Sequence, residues 1–131
     1  MNHLLPDLNQ IEPEQLEYLQ SCRVMIGTPM GHGYVMGNYL LSMTETMFWS
    51  GMFHVAIRPQ FLFSCTYLSV GRNFIANEFL ASDCTHLIFI DSDNGWRPGN
   101  FFELILADKP IVGGLYPRDR KSTRLNSSHT R

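Results

Sequence analysis

The sequence predicts an α/β fold, a three-layer sandwich in which a mostly parallel sheet lies between layers of helices. Short apolar runs alternate with segments whose apolar residues recur at helical spacing, in the order β-α-β-α-β-α-β after an opening helix. The run over residues 85–91 is apolar without alternation, which is typical of a strand covered on both faces. Hydrophobic residues make up 44% of the chain and charged residues 17%, a composition that supports a packed core.

Proline and glycine mark the elements of the first half of the chain. The predicted elements are a helix that begins at Pro13, a strand over 23–27, a helix over 35–50 and a strand over 53–59. Gly27 and Pro29 are expected to close the first strand, so that "TPMGHG" forms a loop. Gly51 is expected to end the second helix.

The second half of the chain continues the alternation of helix and strand. The stretch "FLFSCTYLSV" fits either a strand or a loop. After it, the predicted elements are a helix over 71–82, a strand over 85–91, a helix from Pro98 through Ala107 and a strand over 109–114 that ends in two glycines.

Two carboxylates, Asp91 and Asp93, follow the most apolar strand directly. In open parallel sheets ligands bind beyond the carboxyl ends of the strands, so this edge is the candidate site. In an extended segment residues i and i+2 point to the same side, and two carboxylates placed together repel each other. A divalent cation such as Mn²⁺ or Mg²⁺ relieves that repulsion. The alternative is a solvated turn, for which Asp-Ser-Asp-Asn-Gly is a favourable sequence.

Two further interpretations of the motifs are weaker. Aspartyl phosphatases of the haloacid type also carry an Asp-x-Asp after an apolar strand, but usually continue with Gly-Thr where this chain has Asn94-Gly95. The glycines at 31, 33 and 37 form a loose pattern that differs from the dinucleotide-binding spacing, and no acidic residue closes the second strand. His32 lies in the same loop, where it is either a ligand or an ordinary loop residue.

Composition argues against nucleic acid as a partner, against a membrane span and against secretion. The formal net charge is −2, which gives no basic patch of the kind that nucleic acid requires. No apolar run approaches the ~18 residues of a membrane span, and the N-terminus lacks the pattern of a secretion signal. The three cysteines, Cys22, Cys65 and Cys84, are scattered and indicate neither a zinc site nor a disulfide framework. A cytoplasmic location is therefore expected.

The last residues differ from the rest in composition. Residues 119–131 read "DRKSTRLNSSHTR", and every residue from Asp119 to His129 matches one reading frame of a common sequencing adapter. We therefore expect a single partial domain over 1–118, truncated at its C-terminal side, and a non-native, disordered tail over 119–131.

A set of motifs in fixed order points to a family. They are Thr28-Pro29 after the first strand, Arg72-Asn73 at a helix start, Asp91-Ser92-Asp93, Trp96 with Pro98, and Gly113-Gly114-Leu115-Tyr116-Pro117. Together they resemble the GT-A glycosyltransferases, in particular the family-two-like members of phages and bacteria. The resemblance covers about residues 23–118 and implies the N-terminal part of a nucleotide-diphospho-sugar transferase fold.

The resemblance also implies roles for individual residues. The nucleotide-sugar site would comprise Thr28, Pro29, Arg72, Asp91, Ser92, Asp93, Gly114 and Tyr116. Thr28 and Pro29 would contact the base or ribose, and Arg72 would approach the phosphates or begin its helix in a structural role. Asp91 and Asp93 would bind Mn²⁺ or Mg²⁺, while Gly113, Gly114 and Tyr116 would border the sugar or acceptor pocket. Trp96 would either stack on sugar or pack in the core.

The function that follows is metal-dependent transfer of a sugar from a nucleoside-diphosphate sugar to an unknown acceptor. The catalytic base is expected beyond the Gly-Gly-x-Tyr-Pro segment, so only the donor half of the site is represented. Without the acceptor half, the fragment itself is expected to be inactive. The alternatives are a non-catalytic nucleotide-binding module and a nucleotidyltransferase of similar architecture.

Overall fold

In a computed structural model of the chain, the structure describes residues 8, 10–63 and 67–109. These residues form four helices and three strands, listed here in chain order: α1 Pro13–Ser21, β1 Arg23–Met30, α2 Gly37–Phe53, β2 Ala56–Phe63, α3 Leu68–Leu80, β3 His86–Phe89 and α4 Pro98–Leu106. The predicted α/β class, with helices flanking a parallel sheet, is confirmed for this part of the chain. None of its helices has the length and apolar character needed to cross a membrane.

The three described strands lie in the order β2-β1-β3 and all run parallel. β1 pairs with β2 from Arg23 opposite Ala56 to Met30 opposite Phe63. On its other side β1 pairs with β3 only as far as Gly27, which lies opposite Phe89. The chain therefore passes from β1 to β2 on one side of β1, and then from β2 to β3 on the other side of β1. This reversal creates a topological switch point between the carboxyl ends of β1 and β3.

Side chains of β1 alternate between two helix layers. Val24 and Ile26 belong to the main core, which also contains Tyr39 of α2 and Phe101 of α4. The opposite face of β1 is covered by α3: a Cβ placed on Gly27 would lie 2.6 Å from Cγ2 of its residue Ile75. Helices thus cover both faces of β1, as expected for a parallel sheet.

Two helices begin where the sequence predicts, each with proline in the first turn. Helix α1 also has a capping box, in which the backbone N–H of Glu12 donates to Oε1 of Gln15 at 2.9 Å. At the amino edge of the sheet, the Tyr18 hydroxyl donates to Oδ1 of Asp108 at 3.0 Å and lies 3.2 Å from Nε2 of His86. These contacts connect α1 with β3 and with the end of α4.

The predicted end of the first strand is wrong. Thr28 and Pro29 lie inside β1, which continues to Met30, and not in the loop that follows it. The carbonyl of Gly27 accepts from the N–H of Ile90 at 3.0 Å, so the backbone groups of Gly27 and of Pro29, two residues later, face the β3 side. Because β3 has ended at that level, the N–H that proline lacks has no strand to bond, and the strand tolerates it.

The predicted end of α2 at Gly51 is also wrong. The helix runs on to Phe53, and His54 ends it in the left-handed conformation, at φ 61° and ψ 44°. The N–H of Val55 donates to the carbonyl of Ser50 at 2.9 Å, which closes the helix end in place of a glycine.

Other boundaries shift by a few residues. β2 covers 56–63, not 53–59, so the "FLF" of the ambiguous stretch belongs to a strand, and α3 begins at Leu68, not at residue 71. β3 is shorter than predicted and half-buried along its length, not buried on both faces. All but the first residue of the strand predicted over 109–114 lies outside the described residues, and so do the site residues Gly114 and Tyr116, the boundary at 118 and the tail over 119–131.

Candidate functional site at the carboxyl edge of the sheet

The two predicted metal ligands lie in a tight turn at the switch point. The N–H of Asn94 donates to the carbonyl of Asp91 at 3.1 Å, which closes a turn over residues 91–94 directly after the last pairing of β3 with β1. The expectation of an extended segment that presents both carboxylates to one side is therefore wrong. Turn chemistry, the alternative for Asp-Ser-Asp-Asn-Gly, describes the backbone correctly.

Asp91 is paired with a cation of the protein itself. Nη2 of Arg72, in α3, donates to Oδ1 of Asp91 at 3.0 Å. Both side chains are largely covered, with exposed fractions of 31% for Arg72 and 26% for Asp91. The Nε atom of Arg72 is buried and has no hydrogen-bond partner among the described residues. Arg72 thus lies at the predicted site. Its partner there is the carboxylate of Asp91, whereas the resemblance implies an approach to the phosphates.

The other end of the turn is attached to the start of α2. The carbonyl of Ser92 accepts from the N–H of Met36 at 2.9 Å, and the carbonyl of Asp93 accepts from Nδ2 of Asn38 at 3.1 Å. Both contacts use the backbone of the turn, so the side chains of Ser92 and Asp93 are not needed to hold it. Asp93 is exposed and forms no ion pair with any described residue.

Trp96 fixes the segment after the turn against α2. Its backbone N–H donates to Oγ of Ser42 at 2.8 Å, and its indole Nε1 donates to Oγ1 of Thr46 at 2.9 Å. Its ring packs edge-on against Tyr39, with 5.2 Å between ring centroids. These contacts explain the buried hydroxyls of Ser42 and Thr46, and they support core packing over sugar stacking as the role of Trp96.

Thr28 and Pro29, predicted to contact the nucleotide from a loop, are both buried. The Thr28 side chain is 0% exposed, and its Oγ1 lies 2.6 Å from the hydroxyl of Tyr39. Burial raises the pKa of Tyr39, while the hydrogen bond with Thr28 acts in the opposite direction. The Thr28 hydroxyl is therefore satisfied inside the protein and connects β1 to α2.

An exposed aromatic group in the loop after β1 was not predicted. The rings of His32 and Tyr34 stack with 5.8 Å between centroids and an interplanar angle of 19°. Gly33 between them has φ +80°, and a Cβ placed on it would lie 4.0 Å from Cδ1 of Phe63 at the end of β2. Tyr34 and Phe63 are 60% and 63% exposed. The available signal was the pair of aromatic rings flanking a glycine in the loop.

The carboxylates of the turn fit only part of a metal site. Within the described ranges, no group of three or more His, Cys, Asp or Glu side chains is arranged to hold a metal ion. Arg72 contacts Oδ1 of Asp91, which leaves its Oδ2 and the carboxylate of Asp93 as possible oxygen ligands. Magnesium is commonly held by one or two carboxylates together with substrate phosphates and water. The residues present therefore fit a cation that arrives with a phosphorylated ligand better than a resident metal.

Known proteins provide no assignment for this edge. Comparison of the chain with protein families, with curated proteins and with solved structures found no match. The chemistry of the site is therefore inferred from its own residues, which are a turn with two carboxylates and an arginine beside one of them.

Proposed function

We propose that this chain carries the nucleotide-sugar donor site of a metal-dependent glycosyltransferase of the GT-A type. The resemblance over residues 23–118 supports this proposal, and so does the parallel order β2-β1-β3. The acceptor, the sugar and the catalytic base are not assigned. Gly114 and Tyr116 lie outside the described residues, and their place beside the sugar or acceptor pocket stays a prediction.

The observation that carries the proposal is the position of the Asp91–Asn94 turn. It lies at the switch point, where open parallel sheets bind ligands, and it combines carboxylates with the cationic side chain of Arg72. Carboxylate oxygens suit Mn²⁺ or Mg²⁺, and a guanidinium suits a phosphate. A nucleoside diphosphate with its cation satisfies both kinds of group at once.

In this proposal Asp93 and the free oxygen of Asp91 would hold the cation. When bound, the cation would neutralise the charge that develops on the nucleoside diphosphate as its bond to the sugar breaks. Arg72 would hold Asp91 in position and place a second positive charge beside the phosphates. Thr28 and Pro29 would shape the floor of the site from within β1, since their side chains are buried.

Two alternatives use the same turn. A non-catalytic nucleotide-binding module would bind the nucleotide without transfer, and a nucleotidyltransferase would use a nucleoside triphosphate and a sugar phosphate. The non-catalytic alternative gains support from the pairing of Asp91 with Arg72, because a carboxylate already neutralised by the protein has less need of a metal. The glycosyltransferase and the two alternatives therefore have to be distinguished by their reaction products.

Calorimetric titration with nucleoside diphosphates and their sugar conjugates, with and without Mn²⁺, tests the binding. We expect binding only when nucleotide and Mn²⁺ are both present, and a loss of at least about tenfold in Asp93→Asn, which removes the charge of an exposed ligand. The matched control is Asp83→Asn, at an aspartate with an 80% exposed side chain before β3 at the other end of the sheet, which should leave binding unchanged. An equal binding affinity with and without Mn²⁺, or an equal affinity in the wild type and in Asp93→Asn, would contradict the proposal.

A product assay then separates the alternatives. Release of nucleoside diphosphate from a sugar donor supports a transferase, whereas pyrophosphate from a nucleoside triphosphate and a sugar phosphate supports a nucleotidyltransferase. Metal-dependent binding without either product, in a protein that carries the natural continuation of the domain in place of residues 119–131, would leave the non-catalytic module as the function.

A further inference from the structure

Helix α2 presents a continuous apolar stripe to solvent. We define the α2 outer face as the exposed residues Gly37, Leu40, Leu41, Thr44, Met47, Phe48, Gly51 and Met52. The other exposed residue of the helix, Asn38, is not part of the face and donates to the carbonyl of Asp93. Leu40, Leu41, Phe48 and Met52 are each 60% or 61% exposed, and Met47 is 36% exposed. The opposite side of the helix is already used, because Tyr39, Ser42, Met43, Thr46 and Ser50 are buried against the rest of the fold. An exposed apolar stripe of this kind marks an interaction surface.

The α2 outer face can be covered without leaving a charge or a polar group unsatisfied. The only charged residue in the helix is Glu45, which is not part of the face. The one hydroxyl of the face, on Thr44, already donates to the carbonyl of Leu40 at 2.7 Å. Burial of this face therefore carries little desolvation cost.

Residue types on the α2 outer face repeat in mirror order about Thr44. Leu41 and Met47 lie three residues on either side of it, Leu40 and Phe48 four residues, and Gly37 and Gly51 seven residues. Met36 and Met52, both at least half exposed, lie eight residues away. Helical geometry accounts for the spacing, but not for the matching of glycine with glycine and of large apolar side chains with each other. A surface that matches itself under reversal suits a two-fold axis.

We propose that two copies of this chain pair through the α2 outer face, with the helices antiparallel and a two-fold axis near Thr44. Leu40 would then meet Phe48 of the partner subunit, and Leu41 would meet Met47 of the partner subunit. Gly37 would lie beside Gly51 of the partner subunit. A Cβ on either glycine would meet nothing within 4 Å in the single chain, so both helix ends leave open space for a partner backbone.

Charge and area favour a second copy over other occupants. Helices that lie on membranes carry Lys or Arg on their polar side, and α2 contains neither. An uncharged face offers no complement to a charged partner, whereas two identical uncharged faces do not repel each other. The exposed stripe is smaller than the ~800 Å² per partner of a standard interface, so flanking side chains would supply the rest. A small interface of this kind suits a weak, concentration-dependent pair.

Sedimentation velocity over a dilution series of the full chain tests the pairing. We expect a concentration-dependent dimer, and an apparent dissociation constant at least about 100-fold higher in Leu41→Glu and in Phe48→Glu, because each places two carboxylates in the interface. Leu80→Glu, at a 77% exposed position at the end of α3, is the matched control and should leave the dimer unchanged. Circular dichroism should show the same fold in all variants, since the altered side chains are exposed.

Two experiments test the register. In Thr44→Cys the two new thiols meet at the axis, so mild oxidation should cross-link the copies much faster than in Leu80→Cys. A mixture of Leu40→Glu with Phe48→Lys should form a dimer at least about tenfold tighter than either variant alone, because the register puts the new carboxylate beside the new ammonium group.

Several results would overturn the proposal. They are a chain that stays monomeric up to about 500 µM, a dimer unaffected by both glutamate variants, and cross-linking of Thr44→Cys no faster than that of Leu80→Cys. Binding of the monomer to vesicles of mixed neutral and anionic phospholipids, lost in Phe48→Glu, would assign the face to a membrane surface and equally overturn it.

Discussion

Arg72 of α3 and Asp91, the first residue after the β3 pairing, form an ion pair in which Nη2 and Oδ1 lie 3.0 Å apart. The two residues are separated by 19 positions in sequence and come together because α3 covers the sheet beside the switch point. A protein cation thus relieves part of the repulsion that two neighbouring carboxylates would otherwise feel. Asp93 remains exposed and forms no ion pair with any residue that the structure describes.

Removal of each carboxylate should have a different effect on stability. Asp91→Ala should lower the free energy of unfolding by about 1 kcal/mol, because it leaves Arg72 without its partner. Asp93→Ala should change it by less than about 0.5 kcal/mol, because this side chain is exposed and its turn is held by backbone contacts. Urea unfolding followed by circular dichroism measures both. Equal losses in the two variants would contradict the unequal roles given to the carboxylates.

The buried hydrogen bond between Thr28 and Tyr39 should show strong coupling. Thr28→Val and Tyr39→Phe each leave one buried hydroxyl unpaired and should each cost about 1–3 kcal/mol of unfolding free energy. The double variant removes both hydroxyls and should be less destabilised than the sum of the single variants. A double-mutant cycle by urea unfolding measures the coupling, and additive losses would show that the contact contributes nothing.

Gly27 is required by the close approach of α3 to β1. In Gly27→Ala the new Cβ would lie 2.6 Å from Cγ2 of Ile75, so α3 must shift, at a cost of about 1–3 kcal/mol. Because α3 carries Arg72, the same variant should weaken metal-dependent nucleotide binding. Gly99→Ala is the control: its Cβ meets nothing within 4 Å and it lies in a helix, so it should be neutral or slightly stabilising. Thermal unfolding and calorimetry compare the two, and equal melting temperatures would be the contrary result.

Tyr18 should make stability depend on pH in the alkaline range. Burial, together with the hydrogen bond to Asp108, raises the pKa of Tyr18 from 10.0 to about 12. The folded state therefore keeps the phenol proton where the unfolded state has lost it, so this contribution is complete below pH 10 and is lost between pH 10 and 12. Urea unfolding of the wild type should weaken across this range more steeply than that of Tyr18→Phe. Identical slopes for the two proteins would rule out the assigned role.

Local sequence signals located most of the helices and strands. Pro13 and Pro98 begin helices as predicted, because proline fits the first turn, and the apolar run after His86 forms a strand. The signals failed where a neighbour overrides local preference. Pro29 continues a strand because β3 has already ended beside it, and His54 takes the left-handed position at the end of α2 that usually favours glycine.

The sequence by itself determined the α/β class, the position of two carboxylates after an apolar strand and the presence of Arg72 in the helix before that strand, although not at the start of that helix. Each of these depends on residues close together in the chain. Tertiary structure decided that Arg72 pairs with Asp91 and that the Thr28 hydroxyl forms a hydrogen bond with Tyr39. It also decided that Trp96 donates hydrogen bonds to Ser42 and Thr46. It also decided which side of α2 is left exposed. These outcomes depend on how strands are ordered and which helix covers which face, and such contacts between distant residues leave no periodic trace in the sequence.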